Sequence, residues 1–352
     1  MADSVIQRNV PFQWHYEYGL ILKAIEGVWQ KTRHAKYFAY IMASITPFID
    51  AQGNITTYTI EEYNLDQVRP GAALFPLYRV TGDERYKKAA GLIREQLRGH
   101  PRTSEKGFWH KKIYPYQMWL DGIYMASPFY AEYGKTFDEP ENFDDVAHQI
   151  ILVEKHTRDP QTGLLYHAWD ESKQQRWANP ETGCSPHFWS RAIGWYAMAI
   201  VDVLDDLPAD HPRRDQIIAI FARMVPALAK VQDQPTGLWY QVLDQGHRAG
   251  NYLEASGSCM FVYAIAKAVR MGYLAPEYRE VARKAFRGIL GNLIEIDERG
   301  LVNLTRTCGG AGLGGNPYRD GSYEYYIGEK IVTNDYKGVG PFILASLEME
   351  TI

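Results

Sequence analysis

Apolar residues recur along this chain at helical spacing, in segments of two alternating kinds. One kind is apolar nearly all round, as in residues 194–204, and is typical of a buried helix. The other has an apolar stripe and a charged back, as in residues 278–290, and is typical of a surface helix. The pattern predicts six inner helices over residues 17–27, 69–81, 119–134, 190–206, 254–272 and 338–350. It predicts five outer helices over residues 34–49, 83–98, 141–156, 213–231 and 276–294.

A short glycine-containing phrase separates the helix pairs and predicts a turn that leads into an extended run. Its four copies are KGFWH (106–110), TGLLYH (162–167), TGLWY (236–240) and RGLVN (299–303). Helix pairs repeated in this way predict an all-α fold, an (α/α)6 barrel or toroid with an inner and an outer ring. Residues 4–9 are the candidate for the sixth outer helix. Because no linker divides the chain, we expect a single domain over residues 1–352, with an open array of helical hairpins as the alternative.

Long loops at one end of the barrel are expected to carry the function, because they hold most of the His, Trp and Tyr residues that could take part in chemistry. These loops are residues 50–68, 100–118, 158–189, 233–253 and 296–337. The glycine-rich run 307–315 lacks the Lys-Ser/Thr pair of a P-loop, so it predicts a close backbone approach rather than a phosphate site. Asp83 and Asn142 are predicted to cap the N-termini of outer helices.

Composition excludes several classes of protein. With 46% hydrophobic and 23% charged residues, a net charge of −4 and no basic block, the chain is globular and shows no nucleic-acid-binding footprint. No apolar run reaches the roughly 20 residues of a membrane helix, and we expect no signal peptide at the N-terminus, because a basic segment followed by an apolar stretch is not found there. Three cysteines, Cys184, Cys259 and Cys308, predict reduced thiols in a cytoplasmic protein. No metal-ligand spacing is present, so we expect neither a metal nor a cofactor, and a monomer or weak homo-oligomer.

The stretch WHKKIYPYQMWLDGIY (109–124) places one acid, Asp121, among Trp, Tyr, His and Lys residues at a predicted helix start. Aromatic rings stack on the apolar faces of a sugar ring and exclude water, which raises the pKa of a nearby carboxyl group. A carboxyl group that keeps its proton near neutral pH can serve as a general acid. The alternative is an acid that complements the helix dipole.

A second acid, Asp66, lies just before the neighbouring inner helix, where it either shares the pocket with Asp121 or caps the helix. His110 and His167 occupy matching places in two copies of the glycine phrase and suit hydrogen bonding to hydroxyls or proton transfer. At the start of another inner helix, Arg191 is able to pair with a carboxylate.

Two tryptophans flank Arg191 in this helix, Trp189 and Trp195. Their rings either stack on a sugar or pack the core.

Four segments of the chain resemble the unsaturated rhamnogalacturonyl hydrolases of glycoside hydrolase family 105. They are MWLDGIYMASPFYAEYG (118–134), HAWDESKQQRWANPETG (167–183), SPHFWSRAIGWYAMAIVDVLDDLP (185–208) and GSYEYYIGEKIVTNDYKGVGPFILASLEME (321–350). The resemblance implies an (α/α)6 barrel that acts on a terminal 4,5-unsaturated galacturonic acid from pectin. In that reaction a proton adds to C4 and water adds to C5, and the resulting hemiketal opens and releases the remaining sugar.

The resemblance also implies roles for single residues. Asp121 is the catalytic acid and then the base, and Asp66 holds ring hydroxyls and tunes Asp121. The substrate-contacting positions match His110, His167, Trp189, Arg191 and Trp195, with Tyr16 and Tyr18 on the first inner helix as further candidates. Arg191 or Lys111 would pair with the substrate carboxylate. The alternatives are an unsaturated glucuronyl hydrolase, a sugar epimerase or isomerase that uses histidines, and a non-catalytic carbohydrate-binding protein.

Overall fold

Alternating buried and amphipathic segments form thirteen helices in the computed structural model, which describes residues 1–352. The helices are α1 (Ala2–Arg8), α2 (Tyr16–Thr32), α3 (Ala35–Ile45), α4 (Leu74–Thr81), α5 (Glu84–Gly99), α6 (Leu120–Phe137), α7 (Glu141–Thr157), α8 (Ser190–Val203), α9 (Arg214–Lys230), α10 (Ala255–Arg270), α11 (Arg279–Asn292), α12 (Tyr323–Gly328) and α13 (Tyr336–Met349). Short 3-10 turns lie at Thr46–Phe48, Ile60–Glu62, Leu65–Gln67, Arg69–Ala73 and Pro276–Tyr278.

Six helices close into an inner ring. Helix α2 contacts the 3-10 turn Arg69–Ala73 that leads into α4, and contacts continue from there through α6, α8, α10 and α13 back to α2. Helices α3, α5, α7, α9 and α11 each pack outside the inner helix that precedes them in the chain, and α1 packs against α2. The (α/α)6 toroid predicted from the sequence is therefore confirmed, including the weak first helix.

Burial explains the division into two rings. All 14 residues of α8 are buried, because an inner helix is enclosed by its two ring neighbours, its outer partner and the barrel interior. In α11 only Ala282, Ala285, Gly288 and Ile289 are buried, and charged residues cover the solvent side. One hydrophobic cluster of 93 buried residues runs from Val5 to Ala345 and joins the two rings. None of the helices combines the length and the apolarity that crossing a membrane requires.

Three two-stranded antiparallel sheets occupy the loops. They pair β1 (Gln117–Trp119) with β2 (Ala168–Asp170), β3 (Ile294–Ile296) with β4 (Val302–Leu304), and β5 (Thr307–Cys308) with β6 (Ile331–Val332). Strand β1 runs directly into α6, so the predicted inner helix begins at Leu120 and not at Trp119. The sheet of β1 and β2 thereby fixes the start of the helix that carries Asp121.

The two predicted caps have different outcomes. Asp83 caps α5 as expected, because its side chain accepts a hydrogen bond from the backbone N–H of Arg85. The prediction for Asn142 is wrong, because α7 begins one residue earlier, at Glu141. Asn142 lies inside the first turn, is fully buried and accepts a hydrogen bond of 2.8 Å from Nη2 of Arg94.

A cavity of about 650 Å³ opens at the end of the barrel opposite to the end at which Asp121 lies. It is lined by the C-terminal halves of α2, α6 and α8 and contains Glu132, whose Oε1 lies 2.8 Å from Nη1 of Arg79. Burial raises the pKa of Glu132 to about 7, because it outweighs the opposing charges of Lys23 and Arg79. The carboxylates of Glu26 and Asp206 reinforce this rise in pKa. The folded protein therefore holds a proton that the unfolded chain loses near pH 4.5.

The raised pKa of Glu132 predicts a pH-dependent contribution of this carboxyl group to the stability of the protein. A carboxyl group with a raised pKa in the folded state contributes stability below about pH 4.5, and this contribution is lost as the pH rises through about 7. We expect Glu132→Gln to gain about 1–3 kcal/mol relative to the parent between pH 5 and pH 8 in urea unfolding. The exposed Glu298→Gln is the matched control. A pH-independent difference between Glu132→Gln and the parent would contradict this assignment.

Candidate active site

A cavity of about 390 Å³ lies among the loops at the N-terminal ends of the inner helices, and both predicted acids line it. The charged and aromatic residues on its wall are His15, Tyr16, Asp66, His110, Lys111, Tyr114, Trp119, Asp121, Arg319, Tyr325 and Glu329. Carboxylates, cations and flat rings thus face one space large enough for a sugar ring.

Asp121 is the second residue of α6, and the strand β1 that precedes this helix sets its position. The backbone N–H of Leu120 donates to the carbonyl of His167, which holds the two segments together. The Asp121 side chain is buried, and its Oδ2 lies 3.1 Å from Nε2 of His167. On the other side of the imidazole, Nδ1 of His167 lies 2.8 Å from the hydroxyl of Tyr326. A chain of three polar groups therefore runs inward from the cavity.

Aromatic residues hold His167 in this orientation. Its ring centroid lies 4.8 Å from that of Trp189 and 5.4 Å from that of Trp119. Trp189 is fixed in turn by a hydrogen bond of 3.1 Å from its Nε1 to Oε1 of Gln241. Trp189 is buried, lies behind His167 and does not line the cavity.

Asp66 lies on the 3-10 turn Leu65–Gln67, which Asn64 caps by accepting the backbone N–H of Asp66. Its Oδ2 lies 2.6 Å from Nζ of Lys111, and its Oδ1 lies 3.5 Å from Nε2 of His110. The backbone N–H of Leu65 donates to the carbonyl of His110 and ties the two loops together. Asp66, His110 and Lys111 thus form one polar group beside Asp121.

The charges of this group follow from burial and pairing. Burial acts to raise the pKa of Asp66, but Lys111 and His110 outweigh it, and the net effect lowers that pKa. Burial lowers the pKa of His110 to about 4, with Asp66 opposing the shift. At neutral pH the group therefore contains a carboxylate, an ammonium and a neutral imidazole, which suits hydrogen bonding to sugar hydroxyls.

A stack of flat rings forms one side of the cavity. The ring of His110 lies 4.6 Å from that of Trp119 at an angle of 6°, and Tyr114 lies 5.0 Å from Trp119 at 11°. Gly122 makes room for this stack, because a Cβ there would come within 2.9 Å of Nδ1 of His110. The glycine that follows Asp121 in the sequence thus allows His110 to approach α6.

Three further predicted residues do not lie on the cavity wall. Arg191 is fully buried, donates to the carbonyl of Cys308 and lies 4.0 Å from Glu254, so it anchors the protein interior. Trp195 is 1% exposed and stacks on Tyr124 with 5.0 Å between ring centroids, as its packing alternative expects.

Tyr18 is the third of these residues. Its ring packs edge-on against Tyr336 and Phe12, and the cavity is lined by Tyr16 instead. The structure thus places Arg191, Trp195 and Tyr18, which were expected to contact the substrate, away from the cavity wall.

The last long loop was expected to carry function, but its cavity residues were not among the predicted site residues. Arg319, Tyr325 and Glu329 line the cavity together with the backbone of Gly310, and all four lie within the predicted loop 296–337. The glycine-rich run in that loop was the available signal, because it predicted a close backbone approach.

The structure has no group of three or more His, Cys, Asp or Glu side chains arranged to hold a metal ion. The three cysteines are buried free thiols.

Comparison with known proteins yields a consistent group of relatives. The model of the family described as Glycosyl Hydrolase Family 88 matches residues 2–352. The structure is similar to that of a glycoside hydrolase from family 105 of C. acetobutylicum ATCC 824, with a TM-score of 0.98 and 51% identity, covering 100% of this chain and 98% of the other. Protein Atu3128 of Agrobacterium fabrum (strain C58) is 43% identical over 230 residues, which are 64% of this chain and 97% of the relative. The unsaturated rhamnogalacturonyl hydrolase YesR of Bacillus subtilis (strain 168) is 26% identical over 307 residues, 85% of this chain and 82% of YesR.

Proposed function

Because this chain belongs to Glycosyl Hydrolase Family 88 and is a glycoside hydrolase, we propose that its substrate is an oligosaccharide ending in a 4,5-unsaturated galacturonic acid. The reaction is hydration of the C4=C5 double bond, and the adjoining sugar is the rhamnose of pectin-derived rhamnogalacturonan. The observation that carries the proposal is the placement of Asp121 and Asp66 on one cavity, each beside a buried histidine. The similarity to YesR supports the choice of rhamnogalacturonan.

Asp121 acts first, as the proton donor to C4 of the substrate. Protonation of C4 places positive charge on C5, where the ring oxygen shares it. Asp121 is then a carboxylate beside this charge, and its 9% exposure keeps most bulk water away. A positioned general acid of this kind accelerates proton transfer by about 10²–10⁴-fold.

Water completes the addition. It attacks C5 while the Asp121 carboxylate takes one of its protons, which restores the acid and leaves a hydroxyl on C5. The hemiketal opens to a ketone at C5, and the ring oxygen becomes a hydroxyl on C1. That hemiacetal breaks down to an aldehyde at C1. The proton of the C1 hydroxyl goes to the glycosidic oxygen, and the adjoining sugar leaves as an alcohol. The protein therefore needs no nucleophile at C1, and the usual rule linking carboxylate separation to stereochemistry does not apply.

The remaining groups bind and orient the sugar. The Asp66 carboxylate accepts hydrogen bonds from ring hydroxyls, and neutral His110 acts as a donor or acceptor beside it. The rings of Trp119 and Tyr114 offer apolar surface for the sugar face. His167, fixed by Tyr326, positions Asp121. Cytoplasmic location and a monomeric or weakly oligomeric state stay predictions from the sequence.

An ultraviolet assay with unsaturated galacturonyl-rhamnose tests the proposal. The conjugated enol-ether acid absorbs and its hydration product does not, so absorbance should fall at the rate at which free rhamnose appears. Ordinary hydrolysis at C1 would release rhamnose before the absorbance falls, because the double bond would be lost only later, when the freed ring opens and its C5 enol tautomerises to the ketone. Release of rhamnose ahead of the absorbance loss would overturn the reaction. Turnover of unsaturated glucuronyl disaccharides alone would overturn the choice of sugar while keeping the hydration chemistry. No turnover of either would overturn the function.

A further inference from the structure

The glycine-rich run in the last long loop wraps the side chain of Arg319. Nε of Arg319 donates to the carbonyl of Gly314 at 2.9 Å, and Nη2 donates to the carbonyl of Leu313 at 3.1 Å. Nη2 also donates to the hydroxyl of Tyr114 at 2.9 Å, which ties the guanidinium to the ring stack on the cavity wall. A Cβ on Gly312 would overlap Nη1 of Arg319, so this backbone can approach the guanidinium only as glycine. The loop thus provides a close backbone approach to a cation.

The guanidinium keeps part of its hydrogen-bonding capacity unused. Nε and Nη2 are engaged, whereas Nη1 donates no hydrogen bond within the protein. Arg319 is half-buried on the cavity wall, and no carboxylate oxygen lies within 4.0 Å of its side-chain nitrogens. A long, flexible cation without an acidic partner would normally be solvated at the surface, but this one is held in place by three hydrogen bonds.

The other cations near the cavity already have partners. Lys111 lies 2.6 Å from Asp66, and Arg191 lies behind the wall near Glu254. Three carboxyl-bearing side chains line the cavity, Asp66, Asp121 and Glu329, against the two permanent cations Lys111 and Arg319. An anionic sugar therefore meets a wall on which only Arg319 offers an unpaired positive charge.

We propose that Nη1 of Arg319 binds the C6 carboxylate of the terminal unsaturated uronate, and that the glycine-rich segment 309–315 holds this side chain in place for that contact. The inference rests on the function proposed above, and it assigns the carboxylate contact to Arg319, where the sequence had indicated Arg191 or Lys111. Nη1 suits a carboxylate because the guanidinium is always charged, and a charge-assisted hydrogen bond is stronger than a neutral one.

The contact should act mainly on binding. The carboxylate is attached to C5, next to the carbon that Asp121 protonates, so anchoring it orients the double bond within the cavity. The carboxylate keeps its charge throughout the reaction, so the pair contributes similarly to the bound substrate and to the transition state. Loss of Arg319 is therefore expected to raise KM more than it lowers kcat.

Calorimetric binding in an Asp121→Asn background, in which turnover is expected to be about 10²–10⁴-fold slower, separates this role from catalysis. The probes are unsaturated galacturonyl-rhamnose and its C6 methyl ester, which keeps the ring and the double bond but loses the charge. We expect Arg319→Gln to weaken binding of the acid by about 10- to 100-fold and to change binding of the ester by less than about threefold. A charge-assisted hydrogen bond accounts for a loss of this size.

Two further variants control the result. Arg176→Gln removes an exposed arginine that stacks on the ring of Tyr318 in the same part of the molecule but does not line the cavity, so both probes should bind as in the parent. Gly312→Ala keeps Arg319 but displaces its guanidinium, so it should also weaken binding of the acid selectively.

The outcomes separate the two proposals. Equal losses for acid and ester, or no loss for the acid, in Arg319→Gln would overturn the carboxylate contact and leave the proposed function standing. If the Asp121→Asn protein with Arg319 intact binds neither probe, the proposed function fails and the carboxylate assignment fails with it. If Arg319→Gln does not fold, the same comparison is made with Gly312→Ala, where undiminished selectivity for the acid would be the contrary result.

Discussion

Asparagine in place of Asp121 is expected to leave the barrel folded and to lower turnover of unsaturated galacturonyl-rhamnose by about 10²–10⁴-fold. The two side chains have the same shape, so the first turn of α6 and the approach of His167 at 3.1 Å should persist. The amide, however, has no acidic proton to give to C4 and cannot accept one from water. Initial rates of absorbance loss, measured beside thermal unfolding of the same samples, check the prediction.

Asp138→Asn is the matched control, because Asp138 is exposed at the C-terminal end of the same helix and lies outside the cavity. It should retain the activity of the parent. If Asp121→Asn works within a few-fold of the parent while a His167→Gln variant is inactive, then histidine is the proton carrier, as in the epimerase alternative. Unfolding of Asp121→Asn would show that this carboxylate has a structural role instead.

The ring architecture could be predicted because burial in a toroid leaves a direct trace in the sequence. Helix α8 is enclosed on all sides and is apolar nearly all round, whereas α11 has a charged solvent side. Boundaries were less certain, because they depend on contacts between distant segments. The start of α6 is set by β1 pairing with β2, about 50 residues away, and no local pattern reports that pairing. Asn142 had the chemistry of a cap but lies inside α7, where Arg94 binds it.

The candidate site was only partly predictable, for a related reason. Asp66 and Asp121 could be found because both lie at inner-helix starts, which meet at one end of the barrel. Arg191 and Trp195 lie on a helix that is buried all round, so its apolar pattern gives no indication of which face looks into the cavity. Arg319 reaches the cavity only because the last loop folds back over the ring, a long-range arrangement that local sequence does not encode.

Removal of the Asp66 carboxylate should reduce both activity and stability, and a double-mutant cycle with Lys111 separates the two effects. In Asp66→Asn, Lys111 is left without its partner at 2.6 Å, although its side chain is only 21% exposed. Burial acts to lower the pKa of Lys111, but Asp66 outweighs it and the pKa is raised, so the pair depends on both charges. We expect Asp66→Asn to lose about 1–3 kcal/mol in urea unfolding, less than a fully buried pair would, and to lower kcat/KM by about 10²-fold.

The double variant Asp66→Asn with Lys111→Met should recover most of the lost stability, because no unpaired charge stays buried. Its kcat/KM should stay low, because the carboxylate that accepts the sugar hydroxyls is still absent. The exposed pair Arg98 and Glu95, whose side chains are 57% and 53% exposed, provides the control cycle and should give less than about 1 kcal/mol. Recovery of activity together with stability in the double variant would show that Asp66 serves only to neutralise Lys111, and its role in binding the substrate would have to be withdrawn.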